Sequence, residues 1–265
     1  MALWNGKLTA IVLTAAEPME AREYWAELLG GRADGDSVEL GGGTRIVIRE
    51  GSREGLAELR LDAGLELMTA AQHLGGDAQN GPLQLRDPDG WLLQLRGVEA
   101  VEPLTLGRVT LSHVTLNSPD PLRQSRFYGD LLFLLSDALG EFFFWMRPNP
   151  IHHSMAFAKH PAANINHLAV ELPTRHDFIS AIDRVTAHGL KLEFGPGRHL
   201  VGGNLFAYFV DRYGLRWELC AEMARLDPQH EPGRLTAEDR ARSVNTFGPP
   251  PPTSFINEPG GPPPV

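Results

Sequence analysis

The chain has 265 residues, 42% hydrophobic and 22% charged, a length that suits about two domains and a composition that can fill their cores. A net charge of −9 with no basic stripe argues against a general binder of nucleic acid or of anionic membranes. The single cysteine, Cys220, excludes an intrachain disulfide framework and suits a reducing, cytoplasmic setting.

The N-terminal stretch MALWNGKLTAIVLTAAEPMEA lacks a basic segment followed by an unbroken apolar run, so no signal peptide is expected. No run reaches the ~18 apolar residues of a membrane span. The first element is an alternating apolar strand, "LTAIVLTA". It is followed by the acid–Pro pair Glu17-Pro18, with Pro where the first helical turn tolerates it. The helix after it carries the aromatic pair Tyr24-Trp25. A second helix is expected near 65–75, and "LQLRDPDGWLLQLR" (83–96) reads as strand, tight Asp-Gly turn, strand. The same order then recurs. "LSHVTLNSPDPLRQSRFYGDLLF" (111–133) lies over "LTAIVLTAAEPMEAREYWAELLG" (8–30) without a gap, 103 positions apart, with Asp120-Pro121 and Phe127-Tyr128 in register. A later helix is expected over 174–189, with Thr174 as N-cap and Gly189 as C-terminal stop. "AYFVDRYGLRWELC" (207–220) repeats the closing hairpin. The expected division is a first module at 1–102, a second at 103–224, and a tail at 225–265 too rich in Pro and Gly for a core element. Such a tail is either disordered or an extended arm.

Of ten histidines, His73, His160, His176, His188 and His230 sit in helical, polar or loop contexts and read as ordinary surface residues. His113 in "VTLSHVTLN", His167 in "NINHLAVEL" and Glu218 in "LRWELCA" are polar groups in strands built for burial. A lone histidine in such a strand is more often a hydrogen-bonded core residue than a ligand. Three such intrusions in one module change that reading, because buried polar groups must be paired. A carboxylate facing two neutral imidazoles calls for a cation, and the set is the 2-His-1-carboxylate triad of Fe(II) or Mn(II) sites. The repeat supplies a control. The first module places Ala10, Glu58 and Gln94 where the second has His113, His167 and Glu218, so the fold does not require the triad.

This one-sided His, His and Glu on a doubled βαβββ module resembles the vicinal oxygen chelate (glyoxalase/bleomycin resistance) superfamily. Within it, the pattern is similar to the type I extradiol ring-cleavage dioxygenases. "IHHSMAF" matches the family's histidine-pair strand, and "GPGRH", Tyr208, "DRYG" and Glu218 match its GxGRH–Tyr–DxxG–Glu signature. The resemblance implies an α+β fold of two tandem modules with the metal site in the C-terminal one only. It implies a reaction that inserts both atoms of O2 into a catechol beside the hydroxyl pair, of the EC 1.13.11 type. His113, His167 and Glu218 would hold Fe(II), with Mn(II) as the alternative; His153, His199 and Tyr208 would be the catalytic residues. Arg212 replaces the proline common in the DxxG turn, and Phe194 stands where relatives acting on acidic catechols carry arginine. Strand alternation points His152 away from His153. Phe142, Phe144, Met146, Met155, Phe194 and Phe206 are the expected pocket walls, which would favour an apolar or aryl-substituted catechol. The expected partner is a small-molecule substrate, with neither nucleic acid nor membrane, in a homo-oligomer. The competing readings are a metal-dependent isomerase or epimerase and a ligand-binding resistance protein of the same superfamily.

Overall fold

The computed structural model describes residues 4–78, 81–236, 238, 239 and 243–264. The first three residues of the N-terminal stretch, and Ala237, residues 240–242 and Val265 of the tail, therefore lie outside the described residues. In chain order the first module comprises β1 (Gly6–Ala15), α1 (Pro18–Leu29), β2 (Arg32–Asp34), β3 (Ser37–Glu39), β4 (Arg45–Glu50), β5 (Gly55–Ala63), α2 (Leu65–His73), β6 (Leu83–Arg86) and β7 (Leu92–Gly97). The second comprises β8 (Thr110–Ser118), α3 (Pro121–Asp130), β9 (Leu134–Leu139), β10 (Phe143–Arg147), β11 (Met155–Lys159), β12 (Asn164–Leu172), α4 (Arg175–Ala187), β13 (Leu192–Arg198), β14 (Leu205–Val210) and β15 (Arg216–Ala221). The tail adds β16 (Gly233–Leu235) and a short helix α5 (Thr253–Asn257).

Local chemistry accounts for the helix ends. Pro18 and Pro121 open α1 and α3, where the missing N–H costs nothing. Asp120 accepts from the Arg123 N–H, and Thr174 caps α4 by accepting from the Asp177 N–H. Gly189, with φ 76°, takes the left-handed conformation just beyond α4.

The two sheets run β2-β3-β4-β1-β5-β7-β6 and β13-β14-β15-β12-β8-β11-β10-β9-β16. In each, the two first strands of the half-modules pair antiparallel at the centre (β1 with β5, β8 with β12). Each central strand pairs in parallel with the last strand of its own half. This is the tandem vicinal-oxygen-chelate arrangement, with one departure. Among the described residues, the second half of the first module has two strands after its helix rather than three. The described residues of the Gly-rich connection before β6 supply an isolated Asp77–Gln84 bridge.

One apolar core runs through both modules, joining Trp25 and Trp91 of the first to Tyr128, Phe157, Phe178 and Trp217 of the second. Two hairpin aspartates lock it. Asp211 accepts from the Tyr213 and Leu215 N–H groups through Oδ1, and through Oδ2 from Trp217 Nε1 (2.9 Å) and, across the module boundary, Trp25 Nε1 (2.8 Å). Asp87 does the same for the Asp89 and Trp91 N–H groups, and Tyr128 donates to it across the boundary at 3.4 Å. Trp25 and Tyr128 occupy equivalent repeat positions, so the contact is reciprocal. Burial pushes the Asp87 carboxyl up to about 7, against the hydrogen bonds it accepts.

Removing the Asp211 carboxylate (Asp211→Ala) strands two indole and two backbone donors. The expected cost is roughly 3 kcal/mol or more, since each buried unsatisfied group costs about 1–3 kcal/mol. Trp25→Phe should cost less, and the double variant should fall short of the sum of the two. Denaturant unfolding of the three variants measures this; strict additivity would show that the two side chains do not act as a pair.

Candidate metal centre

Register places the site. His113 on β8 pairs with Ala169 on β12, Ala169 pairs with Glu218 on β15, and Glu218 pairs with Tyr208 on β14. The row Tyr208–Glu218–Ala169–His113 thus crosses four neighbouring strands, and small Ala169 leaves space at its middle. His167 lies two residues before Ala169 and faces the same side. The Nε2 atoms of His113 and His167 are 3.1 Å apart, and each lies 3.1 Å from Glu218 Oε2. All three side chains are buried. Among the described residues this is the one group of three or more such ligands able to hold a metal ion.

The neighbouring hydrogen bonds test whether these residues fit a cation. His167 Nδ1 lies 2.8 Å from Asn166 Oδ1, which can only accept, so Nδ1 carries the hydrogen and Nε2 presents a lone pair. His113 Nδ1 has a partner in Ser112 Oγ at 3.2 Å, again leaving Nε2 for the centre. Asn204 donates to the other carboxylate oxygen of Glu218 at 3.0 Å. Burial opposes the Glu218 charge, yet His113 and His167 hold its carboxyl well below the usual range. Burial likewise depresses His167, to about 4, against the pull of Glu218. Two imidazole nitrogens and a carboxylate converging in a closed interior are the donor set of a divalent transition metal. The residues fit the ion.

Three more histidines and a tyrosine surround the triad. Asp137 Oδ2 accepts from His152 Nε2 at 2.7 Å, and the two Nδ1 atoms of His152 and His153 are 2.9 Å apart. Burial lowers both imidazoles, His153 well below its ordinary value. With His152 neutral and donating through Nε2, its Nδ1 accepts from His153, so His153 turns an unprotonated Nε2 to the cavity. His152 does not line the cavity; it and His153 lie in the turn before β11 rather than on a strand, so alternation does not govern them, and His152 orients its neighbour through the Nδ1–Nδ1 contact. His199 donates from Nδ1 to the Val244 carbonyl (2.6 Å) and accepts at Nε2 from the Tyr208 hydroxyl (3.0 Å). Burial, then the Glu218 charge, raises Tyr208 well above the usual phenol range.

A cavity of about 590 Å³ opens over this face and takes in all six expected site residues: His113, His153, His167, His199, Tyr208 and Glu218. Its walls differ from expectation. Phe142 lines it, but Phe144, Met146 and Met155 belong to the core, and Phe143 and Trp145 take their place. Phe143 and Trp145 stack with ring centroids 4.2 Å apart. Along β10 alternation is regular, with odd-numbered Phe143 and Trp145 facing the cavity; the slip in its pairing with β9 leaves the extra residue, Ser136, on β9. Phe194 and Phe206 lie behind the wall, Phe194 parallel to Tyr208 and Phe206 stacked on His199 at 4.0 Å. The roof is the C-terminal tail, which contributes Val244, Pro250, Pro251, Phe255 and Ile256. It is an extended arm. Sequence reading missed Asn166, Asn204 and Asp137; the first sits beside a predicted ligand, and the other two carry no signal of their own.

Residues 110–219 match the family model of the glyoxalase/bleomycin resistance protein/dioxygenase superfamily. Metapyrocatechase 2 of Cupriavidus necator is 32% identical over 151 residues, covering 55% of this chain and 46% of the relative, so the chain spans about half of that relative's length. The Mn(II)-bound glyoxalase of Novosphingobium aromaticivorans superposes with a TM-score of 0.82 at 20% identity, covering 98% of this chain and 96% of that one. Homoprotocatechuate 2,3-dioxygenase of Brevibacterium fuscum, in complex with 3,4-dihydroxyphenylacetate, superposes with a TM-score of 0.81 at 19% identity, covering 96% and 92%. These two superpositions show a shared fold. No helix among the described residues is long and apolar enough to cross a membrane.

The depressed His167 has a consequence for the metal-free protein. Its folded value of about 4 lies below the ordinary 6.5, so between those values the unfolded chain binds more protons. Stability is therefore fully present above pH ~6.5 and lost as the pH falls to ~4, by roughly 3 kcal/mol from this residue. Urea unfolding across this window should show the loss, and His167→Asn should flatten it; an unchanged slope would remove His167 as its source.

Proposed function

We propose that this chain is an extradiol dioxygenase that opens a catecholic ring beside its hydroxyl pair with insertion of both atoms of O2. The observation that carries the reading is the meeting of a two-histidine, one-carboxylate donor set with the unprotonated Nε2 of His153 over one cavity. His113, His167 and Glu218 would hold the metal, which we assign as Fe(II), with Mn(II) the alternative this donor set also accepts. Bound there, the ion would supply a Lewis-acidic centre with open positions for the two catechol oxygens and for dioxygen.

The remaining roles belong to the chain's own side chains. His153 Nε2 is the base that takes a phenolic proton and later returns it; the chain through His152 to Asp137 steadies the cation formed in between. Tyr208, kept neutral by burial and donating its proton to His199 Nε2, accepts from a substrate hydroxyl, and His199 orients the phenol from the far side. The arm and the Phe143–Trp145 wall exclude water from the ring. Leu139, Val201, Pro250, Pro251 and Ile256 continue the apolar lining; the one Lys or Arg among the described lining residues is Lys159, at the rim, whose ammonium already donates to the Pro119 carbonyl, and Glu238 also lines the cavity. The apolar walls suit a catechol with an apolar or aryl substituent. We place the reaction in the cytoplasm, in keeping with the single, buried thiol, and take the protein to act as a homo-oligomer. An isomerase of the same superfamily would not call for His153, His199 and Tyr208 together, which favours the oxygenase.

Anaerobic reconstitution with Fe(II), followed by oxygen and a panel of alkyl-, aryl- and carboxyl-substituted catechols, tests this. Equimolar oxygen uptake with a yellow ring-opened product is expected, strongest on the aryl-substituted members. His113→Ala should abolish it. His153→Ala should lower turnover about 10²–10⁴-fold, the usual contribution of a positioned acid–base group. Absence of uptake on every catechol, by protein containing stoichiometric metal, would sink the dioxygenase reading.

A further inference from the structure

Consecutive residues of a strand face opposite sides of a sheet, yet Asn166 and His167 both line the cavity. The pairing of β8 with β12 explains it. Ile165 pairs with Leu116 and His167 with the next residue, Thr115, so Asn166 is the extra residue of a bulge. The bulge brings its amide oxygen to 2.8 Å from His167 Nδ1. From there, hydrogen bonds run in one direction only. Asn166 Nδ2 donates to Asn117 Oδ1 (2.9 Å), Asn117 Nδ2 to Asn164 Oδ1 (2.7 Å), and Asn164 Nδ2 to the Ala162 carbonyl (3.1 Å). Since an amide nitrogen cannot accept, this order fixes which end of Asn166 faces the imidazole.

The bulge is held from behind by the arm. The β12–β15 ladder begins only at Leu168–Trp217, and below it the two strands are bridged by Gly260. Gly260 donates to the Ile165 carbonyl (2.8 Å) and accepts from the Arg216 N–H (2.7 Å). A Cβ on Gly260 would stand 1.8 Å from the Asn166 carbonyl oxygen, so only glycine fits. That carbonyl, unpaired in the ladder, is taken by buried Arg216 Nη1 (3.0 Å). The same guanidinium reaches the arm's Glu258 carbonyl (3.1 Å) and Glu193 in a two-pronged pair (2.7 and 3.1 Å).

We propose that Asn166 is a positioning residue for His167, and that the docked arm, through Gly260 and Arg216, holds the bulge that puts it there. The inference rests on the metal-binding reading of the triad. It makes arm docking and metal affinity reciprocal: each strengthens the other by the same factor.

The test uses the full chain with Co(II) as probe, reading its affinity by competition with a chromophoric chelator and its visible absorption bands. Asn166→Leu should weaken binding about 10–100-fold, the usual effect of removing a ligand's hydrogen-bond partner, and should shift the bands. Asn166→Asp keeps the acceptor and should retain most of the affinity. Gly260→Ala should weaken binding as well and speed proteolysis of the arm, while Co(II) should slow that proteolysis in the unsubstituted chain. Native affinity and bands in a folded Asn166→Leu variant would overturn the role of Asn166. A Gly260→Ala variant with a readily cut arm but native affinity would overturn the role of the arm. An unsubstituted chain that takes up no Co(II) would overturn the metal reading, and this proposal with it.

Discussion

A carboxylate closed into the interior beside two imidazoles is the constraint around which the second module is built. Glu218 is a buried charge, and a buried charge without partners costs several kcal/mol or more. The sheet answers with geometry. A row of paired residues carries His113 and Glu218 to either side of Ala169, whose small side chain leaves the middle open. Asn166, Ser112 and Asn204 then take up the atoms that point away from the centre. What remains is two Nε2 atoms and one carboxylate oxygen, turned toward each other at distances that make sense around a cation. The first module meets the same positions with different chemistry. There the row is Ala10–Arg60–Gln94, with Glu58 two residues before Arg60 and paired with both Arg49 and Arg60. That copy neutralises itself with arginine, and leaves nothing for a metal to do.

The first module still has a structural task, carried by the reciprocal pairs Trp25–Asp211 and Tyr128–Asp87. Each closing hairpin is pinned by an aromatic side chain from the other copy's first helix. Asp211 lies at the turn that feeds β15, so the indole of Trp25 fixes the strand that delivers Glu218. The two contacts are not equal. Asp211 receives two indole N–H groups at under 3 Å, whereas Asp87 receives one hydroxyl at 3.4 Å and is pushed up to about 7. The tighter lock sits under the module that bears the site.

Much of this was legible in the sequence, for identifiable reasons. The repeat showed itself because strand alternation, a proline at a helix start and an aromatic pair recur without a gap. The triad stood out because polar residues in apolar strands are conspicuous, and because the other copy lacks them; the alignment of Glu58 with His167 agrees with the observed registers. The cavity wall was read in the wrong phase. Phe144 and Met146 were chosen with Phe142, but Phe142 lies before β10, and within the strand alternation runs unbroken with Phe143 and Trp145 to the cavity and Phe144 and Met146 to the core. Asn166 escaped for a different reason, since the one-residue bulge that turns it to the cavity leaves no mark on composition or period. The arm could not be placed at all, because a Pro/Gly-rich chain has no periodic face to match against a partner.

The arm is nevertheless held by specific bonds, not by general stickiness. It adds β16 in parallel to the edge strand β9, where Asp137 accepts from the Gly233 N–H (2.7 Å) while holding His152 with its other oxygen. It then gives its Val244 carbonyl to His199, lays Phe255 against Phe194 and Tyr208, and ends with Gly260 between β12 and β15. Beyond that, Pro262 and Pro263 reach Gly55 and Arg53 of the first module. Three of these docking points bear on the side chains of the site: Gly233 on Asp137, which holds His152 behind His153; Val244 on His199 beside Tyr208; and Gly260 on the bulge that carries Asn166 behind His167. A roof that only excluded water would need none of these contacts. With the arm docked, Asp137, His199 and Ile165 each have a hydrogen-bond partner that the arm supplies (Gly233, Val244 and Gly260), so the segment that roofs the cavity also supports the side chains around the centre.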